Sequence, residues 1–354
     1  MKPHLLTLLF FTGVFHAGAV RGEAAAEPED IVRYVVVDNV CAWPNLTLLK
    51  DGSIAAIIHN QPSHARMEGD IDCWTSRDGA MWEKHAQPAP NAPGTVRMNV
   101  AAGQATNGDL VVLCSGWMLE NGAPKTVLPC WVTRSADNGR TWEVIRAFPE
   151  AEPGWTHFVP FGPILPGEDG RLHTTCYARG LKDRNARHVW HFTSTDEGRT
   201  WKRGALIGKD HNETSLFHLG GKRWLAAARN NAAYRVVLFR SEDDGVSWQG
   251  GEPITENREL NAHLLRLADG RLLLSYGKRL QGENGVLAKF STDEGRTWSA
   301  PVRLARSLSS DCGYPSSVQR ADGRIVTAFY SASAENHERY HMGVAIWKAP
   351  EFKR

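Results

Sequence analysis

Ser194-Thr195-Asp196-Glu197-Gly198-Arg199-Thr200-Trp201 returns letter for letter as Ser291-Thr292-Asp293-Glu294-Gly295-Arg296-Thr297-Trp298. Ser135 to Trp142 and Ser241 to Trp248 keep its pattern, Ser-x-Asp-x-Gly-x-Thr/Ser-Trp. A degenerate fifth copy, Thr75 to Trp82, reads with its Asp one place late. The tryptophans Trp82, Trp142, Trp201, Trp248 and Trp298 are spaced 60, 59, 47 and 50 residues apart. A period of this size marks stacked or radial units. Asp and Gly suit a tight corner, because Asp bonds its own backbone and Gly accepts positive φ. The Trp that follows is a large apolar plug. Each copy is therefore predicted to be a hairpin corner that staples structure, and no catalysis is assigned to its Asp.

Between the boxes a second signal recurs: an apolar run, an Asp/Asn-Gly turn, another apolar run. Turns at Asp51, Asn107, Asp169, Gly220-Gly221, Asp269 and Asp322 carry it, and they read as hairpins. No long helical periodicity interrupts them. Two hairpins per unit make four strands, and four-stranded units repeated radially make a β-propeller. Six such turns predict an all-β, six-bladed β-propeller over residues 26–354. Its last blade is expected to close by pairing Arg33–Val37 with His341–Trp347, which removes an open edge.

Residues 1–25 read as a secretory signal. Lys2 and His4 precede an apolar run from Leu5 to Phe15, and small residues follow at Ala17, Gly18 and Ala19. The run is too short to span a bilayer, so a secreted or periplasmic chain without membrane insertion is expected. The net charge of +2 balances 41 basic against 39 acidic residues and leaves no footprint for nucleic acid. Six cysteines show no CxxC spacing, which argues against zinc. Disulfides and buried free thiols both remain open. No metal and no cofactor is called for. His337 and His341 alone have His-x-x-x-His spacing, and they lead into a strand with no carboxylate cluster beside them.

Repeated Asp-boxes on such a scaffold resemble the sialidase (neuraminidase) superfamily, over about Ile31 to Trp347. The resemblance implies a Tyr nucleophile activated by a Glu, an acid/base residue, and three Arg on the substrate carboxylate. Asn212-Glu213 followed by Ala228-Arg229-Asn230 looks like the family's Asn-Glu and Ala-Arg-Asn strands. That makes Glu213 the base and Arg229 a carboxylate ligand. Gly313-Tyr314-Pro315-Ser316-Ser317 looks like the family's nucleophile segment, which makes Tyr314 the nucleophile. A neutral phenol is a poor nucleophile, so a carboxylate must take its proton as attack occurs.

Other positions depart from the pattern. Cys41-Ala42-Trp43-Pro44-Asn45 stands where the first family Arg is expected, and Trp43 cannot replace a bidentate partner. Arg97 and Arg279 are the remaining candidates for the carboxylate. The loop before the first box offers Glu68, His64 and Asp70 as acid/base or substrate ligands. His157 and His341 belong to polar, aromatic clusters suited to sugar binding. The implied partner is a glycan or glycoconjugate. The expectation is an exo-glycosidase acting on terminal sialic acid or a related acidic sugar. Two alternatives stand beside it: a glycosidase of uronic-acid or deoxysugar linkages, and a non-catalytic propeller that binds glycan or protein.

Overall fold

A computed structural model describes residues 25–183 and 185–351. The expected leader lies outside the described residues except for Ala25. Among the described residues every regular element is a β-strand, so the fold is all-β.

The strands form four hydrogen-bonded sheets. Ala42–Leu48, Ile54–His59, Ile71–Ser76 and Glu83–Lys84 make one. Val32–Asp38, His341–Trp347, Ile325–Ser331 and Cys312–Gln319 make another. A nine-stranded sheet holds the strands from Thr95–Gln104 to Lys202–Lys209, and an eight-stranded one those from His211–Gly220 to Val302–Arg306. Within the two large sheets neighbouring strands are antiparallel except at two short parallel seams. These seams are Gly162–Pro163 against Ala101–Ala102, and Arg235 against Glu259. The chain ends meet as expected: Val32–Asp38 pairs with His341–Trp347, with a bulge between Val35 and Val37.

Sequence explains the middle strands. Ile54–His59, Ile325–Ser331 and His341–Trp347 are buried at every position. A strand covered on both faces reads as an unbroken apolar run. The core lies in layers between successive sheets, as where Leu273 and Val286 meet Ile325, Phe329 and Trp347.

The boxes set the spacing of those layers. In the first exact copy the Asp196 carboxylate accepts from the Ser194 hydroxyl, the Thr200 N–H and the Thr200 hydroxyl. Ser194 Oγ in turn accepts from Gly198 N–H. Glu197 and Gly198 both take positive φ, 58° and 81°, which a side chain tolerates poorly and Gly accepts freely. Gly has a second reason to be there. A Cβ on Gly79, Gly139, Gly198 or Gly245 would come within 3.0 Å of the side chain of Val326, Cys73, Val111 or His191, each on a strand other than the one that leads into its box. Trp82, Trp142, Trp201, Trp248 and Trp298 each enter a core layer next to those contacts.

The degenerate copy needs a correction. Its Ser is Ser76, whose hydroxyl bonds Asp78 and accepts from Gly79 N–H. Asp78 also accepts from Ala80 and Met81 N–H. The Asp is therefore in register. What is missing is the left-handed residue between Asp and Gly, so the corner is one residue shorter.

Candidate active site

One local distortion builds the site. Four strands that border one cleft each carry two residues opposite one of the neighbouring strand. The doubled pairs are Trp43-Pro44, Asn212-Glu213, Asn261-Ala262 and Tyr314-Pro315. Such bulges bend a strand and re-aim its side chains. Trp43, Asn261 and Tyr314 hold φ at 43°, 57° and 50°, a region that large side chains enter only when the surroundings impose it. Proline after Trp43 and Tyr314 donates no N–H, so a bulge loses nothing there.

The bulges open onto one cleft, lined among others by Trp43, His64, Trp117, Tyr177, Glu213, His263 and Tyr314. The Tyr314 hydroxyl donates to Glu213 Oε1 at 2.5 Å. Glu213 Oε2 accepts from Arg229 at 2.6 Å and from Asn261 Nδ2 at 2.5 Å. Burial alone would raise the Glu213 carboxyl. The Arg229 charge and the hydrogen bonds from Tyr314, Arg229 and Asn261 outweigh it and hold Glu213 below its ordinary value. Burial, then the Glu213 charge, pushes the Tyr314 phenol well up. At neutral pH the pair therefore rests as phenol and carboxylate, with the proton on the shared bond. Attack on an electron-poor carbon by Tyr314 Oη would release that proton to Glu213.

Arg279 stands beneath the ring of Tyr314, 5.6 Å from its centroid. Its guanidinium donates to the Cys312 carbonyl at 2.9 Å and to the Tyr330 hydroxyl at 3.0 Å. Trp43 packs 6.0 Å from the Tyr314 ring and meets His64 edge-on at 4.8 Å. His64 Nε2 lies 2.9 Å from both oxygens of Asp311.

The other candidates sit elsewhere. Glu68 Oε1 accepts from Gly94 N–H at 2.7 Å, and Asp70 accepts from Asn91 N–H, Asn60 and Gln87. Both fasten the 60–70 loop, which also bridges to the next sheet at Gly69 and Val96. Arg97 is buried, stacked 3.7 Å over the Trp131 ring and bonded to the Pro129 carbonyl. His157 pairs with Glu150 in a second cleft, beside Trp117, Trp155 and Arg179. His341 is buried and its Nδ1 meets the Arg339 carbonyl. All six cysteines are buried free thiols. No group of three or more His, Cys, Asp or Glu able to hold a metal occurs among the described residues.

Sequence reasoning misses Asn261, Asp311 and Tyr330, and reaches Tyr340 only as a member of the cluster around His341. Asn261 had a readable signal, since Asn261-Ala262-His263 repeats the place in its strand of Tyr314-Pro315-Ser316. Asp311 had none, because its partners come from 247 positions upstream and from 19 and 29 positions downstream.

Residues 63–327 match the profile of the BNR repeat-like domain. The chain is a BNR repeat protein of the sialidase superfamily. This BNR repeat chain is 31% identical over 206 residues to a sialidase of Micromonospora viridifaciens, a match covering 50% of this chain and 30% of that relative. It thus aligns with under a third of the curated relative's length. Among solved structures, a protein of unknown function from Dyadobacter fermentans superposes with a TM-score of 0.77 at 22% identity, over 89% of this chain and 98% of that one. Trypanosoma rangeli sialidase in complex with the inhibitor DANA gives 0.71 at 14% identity, over 91% and 58%. At these identities the superpositions speak for the BNR repeat chain's fold.

Proposed function

We propose that the protein is an exported exo-glycosidase that acts with retention, using Tyr314 as nucleophile and Glu213 as its base. One observation carries this reading: a half-buried phenol and a buried carboxylate share a 2.5 Å hydrogen bond at the wall of a cleft. Tyr314 Oη bonds the anomeric carbon as the glycosidic bond breaks, and Glu213 accepts its proton. Water then displaces Tyr314 from the glycosyl-enzyme, and inversion twice gives retention. Arg229 and Asn261 keep Glu213 ionised and oriented until attack.

The scaffold we propose for this chemistry is a closed propeller of six blades. Division of the two large sheets at their short parallel seams supports it, since each then yields two antiparallel units of four main strands. The contact of Gly79, in the first box, with Val326, in the last sheet, supports closure. Export rests on the apolar run Leu5 to Phe15, and amino-terminal sequencing of the exported product tests it.

Terminal sialic acid or a related acidic sugar is the first substrate class, by kinship with sialidases. A second class, neutral or deoxysugar glycosides, is favoured by a specific feature, whereas uronic glycosides share with sialosides the need for a cation. Among the described residues no Arg or Lys lines the cleft, Arg229 is engaged by Glu213, and Trp43 fills the wall where a further cation was expected. Fluorophore release from a methylumbelliferyl sialoside, set against uronic, deoxyhexose and neutral glycosides, decides between them. Glycan binding with no turnover across that panel would make the propeller a binding module instead.

A further inference from the structure

We propose that His64 is the proton donor to the departing glycosidic oxygen, and that Asp311 is the positioning residue that holds it. This rests on the glycosidase reading above and assigns its missing acid.

The cleft itself narrows the choice. Its titratable lining residues are His64, Tyr177, Glu213, His263 and Tyr314. Glu213 and Tyr314 are committed to each other. Burial pushes the Tyr177 phenol up and holds His263 down at about 4, so His263 is neutral at neutral pH. Glu68 and Asp70 are spent on loop amides and do not line the cleft. His64 is the group left to carry a transferable proton.

Asp311 is built as a fixed acceptor. It lies three positions before Tyr314, at the entrance to the same strand. Both its oxygens face His64 Nε2 at 2.9 Å, the Tyr330 hydroxyl donates to Oδ1 at 2.6 Å, and the Tyr340 hydroxyl donates to Oδ2. Burial opposes ionisation, but these donors hold the Asp311 carboxyl well below the usual range. Such a carboxylate does not give up a proton; it orients an imidazole and stabilises the imidazolium. With Nε2–H directed at Asp311, Nδ1 is the nitrogen available to substrate, and among the described residues no hydrogen bond reaches it. Besides Asp311, the groups facing His64 are Trp43, Tyr330 and Tyr340, with His59 behind Trp43 and Arg279 beyond Tyr330.

The proton count closes. In the first step Tyr314 Oη bonds the anomeric carbon, its proton passes to Glu213, and the leaving oxygen takes the Nδ1 proton of His64. In the second, water bonds the same carbon and gives a proton back to Nδ1. The Tyr314–carbon bond breaks, and the phenolate recovers its proton from Glu213.

The test compares leaving groups on whichever sugar the wild-type enzyme turns over. A dinitrophenyl glycoside needs no acid, whereas an alkyl or disaccharide glycoside does. His64→Ala should lower kcat/KM, which reports the first step, at least about 100-fold on the alkyl glycoside and under about 10-fold on the dinitrophenyl one, whose kcat falls because the second step loses its base. Azide should restore turnover of the dinitrophenyl glycoside, giving a glycosyl azide of retained configuration. His64→Gln, closer in shape, gives the same comparison if the alanine variant does not fold. Asp311→Asn should move the alkaline fall of the alkyl-glycoside pH profile to lower pH, which a merely structural role would not do. Equal kcat/KM losses on both leaving groups, or an unmoved profile in Asp311→Asn, would overturn the inference while leaving Tyr314 and Glu213 in place. A wild-type chain inert toward every glycoside would overturn the hydrolase reading and this inference together.

Discussion

Tyr314 and Glu213, 101 positions apart in the chain, are joined by a 2.5 Å hydrogen bond from phenol to carboxylate. The bond exists because two bulges, on strands from different sheets, turn both side chains to one point. Tyr314→Phe keeps the ring contacts with Trp43 and Phe161 and removes only the hydroxyl proposed as nucleophile. The variant should fold as the wild type does and lose at least about 10³-fold in kcat. A fluorinated analogue of the substrate sugar should label the wild type in a mass spectrum and leave Tyr314→Phe unlabelled. Labelling of the variant at another residue would assign the nucleophile elsewhere.

Glu213→Gln should show two effects at once. Activity falls because an amide cannot accept the phenol proton. Stability also falls, because Arg229 is left with a buried charge and no carboxylate at 2.6 Å. Breaking a buried pair by removing one partner costs about 3–5 kcal/mol, and a Gln that still accepts a hydrogen bond should keep the loss near the lower figure. Urea unfolding measures it. An unchanged midpoint would mean that the Arg229–Glu213 pair contributes nothing to the fold.

Acid should weaken the protein in two stages. His59 is fully buried, and burial holds it at about 4. Unfolding exposes an ordinary imidazole with pKa about 6.5, so the unfolded chain binds the extra proton and stability declines from about pH 6.5 toward 4. The box carboxylates follow. Bonds from Thr297 hold Asp293 at about 2, so its contribution is complete above about pH 4 and is lost as pH falls through 2. Melting temperatures across pH 2 to 8 should trace both stages, and His59→Gln should reduce the upper one in part, since burial holds His173 and His263 at about 4 as well.

Asp196 accepts three hydrogen bonds at a corner far from the cleft. Asp196→Ala should therefore cost about 1–3 kcal/mol of stability while kcat stays within twofold. A large loss of turnover without unfolding would show that a box carboxylate takes part in the chemistry.

The boxes were legible because every bond in them is local: Ser, Asp, Gly and Thr lie within six positions and need no distant partner. Even so, the shortened copy at Ser76 is read one residue off, since only the hydroxyl contacts of Ser76 reveal where the deletion falls. Tyr314 and Glu213 were legible through resemblance to a family, not through spacing. The bulges that aim them leave a weaker trace, a proline after Trp43 and after Tyr314. Asp311 was invisible because its meaning lies wholly in partners from other sheets. Trp43 shows the reverse case. A missing Arg was readable, but the way Trp43 buttresses both Tyr314 and His64 was not.

The strand that bears Tyr314 belongs to a sheet whose outer member, Val32–Asp38, is supplied by the opposite end of the polypeptide through His341–Trp347. On a ribosome, Glu213 and Arg229 emerge well before the neighbours that seat Tyr314. Fragments halted short of Trp347, or trimmed past Asp38, would keep Glu213 yet leave Tyr314 without a finished seat. Any activity of the proposed pair would thus require Val32–Asp38 and His341–Trp347 together, making turnover itself a reporter of that clasp.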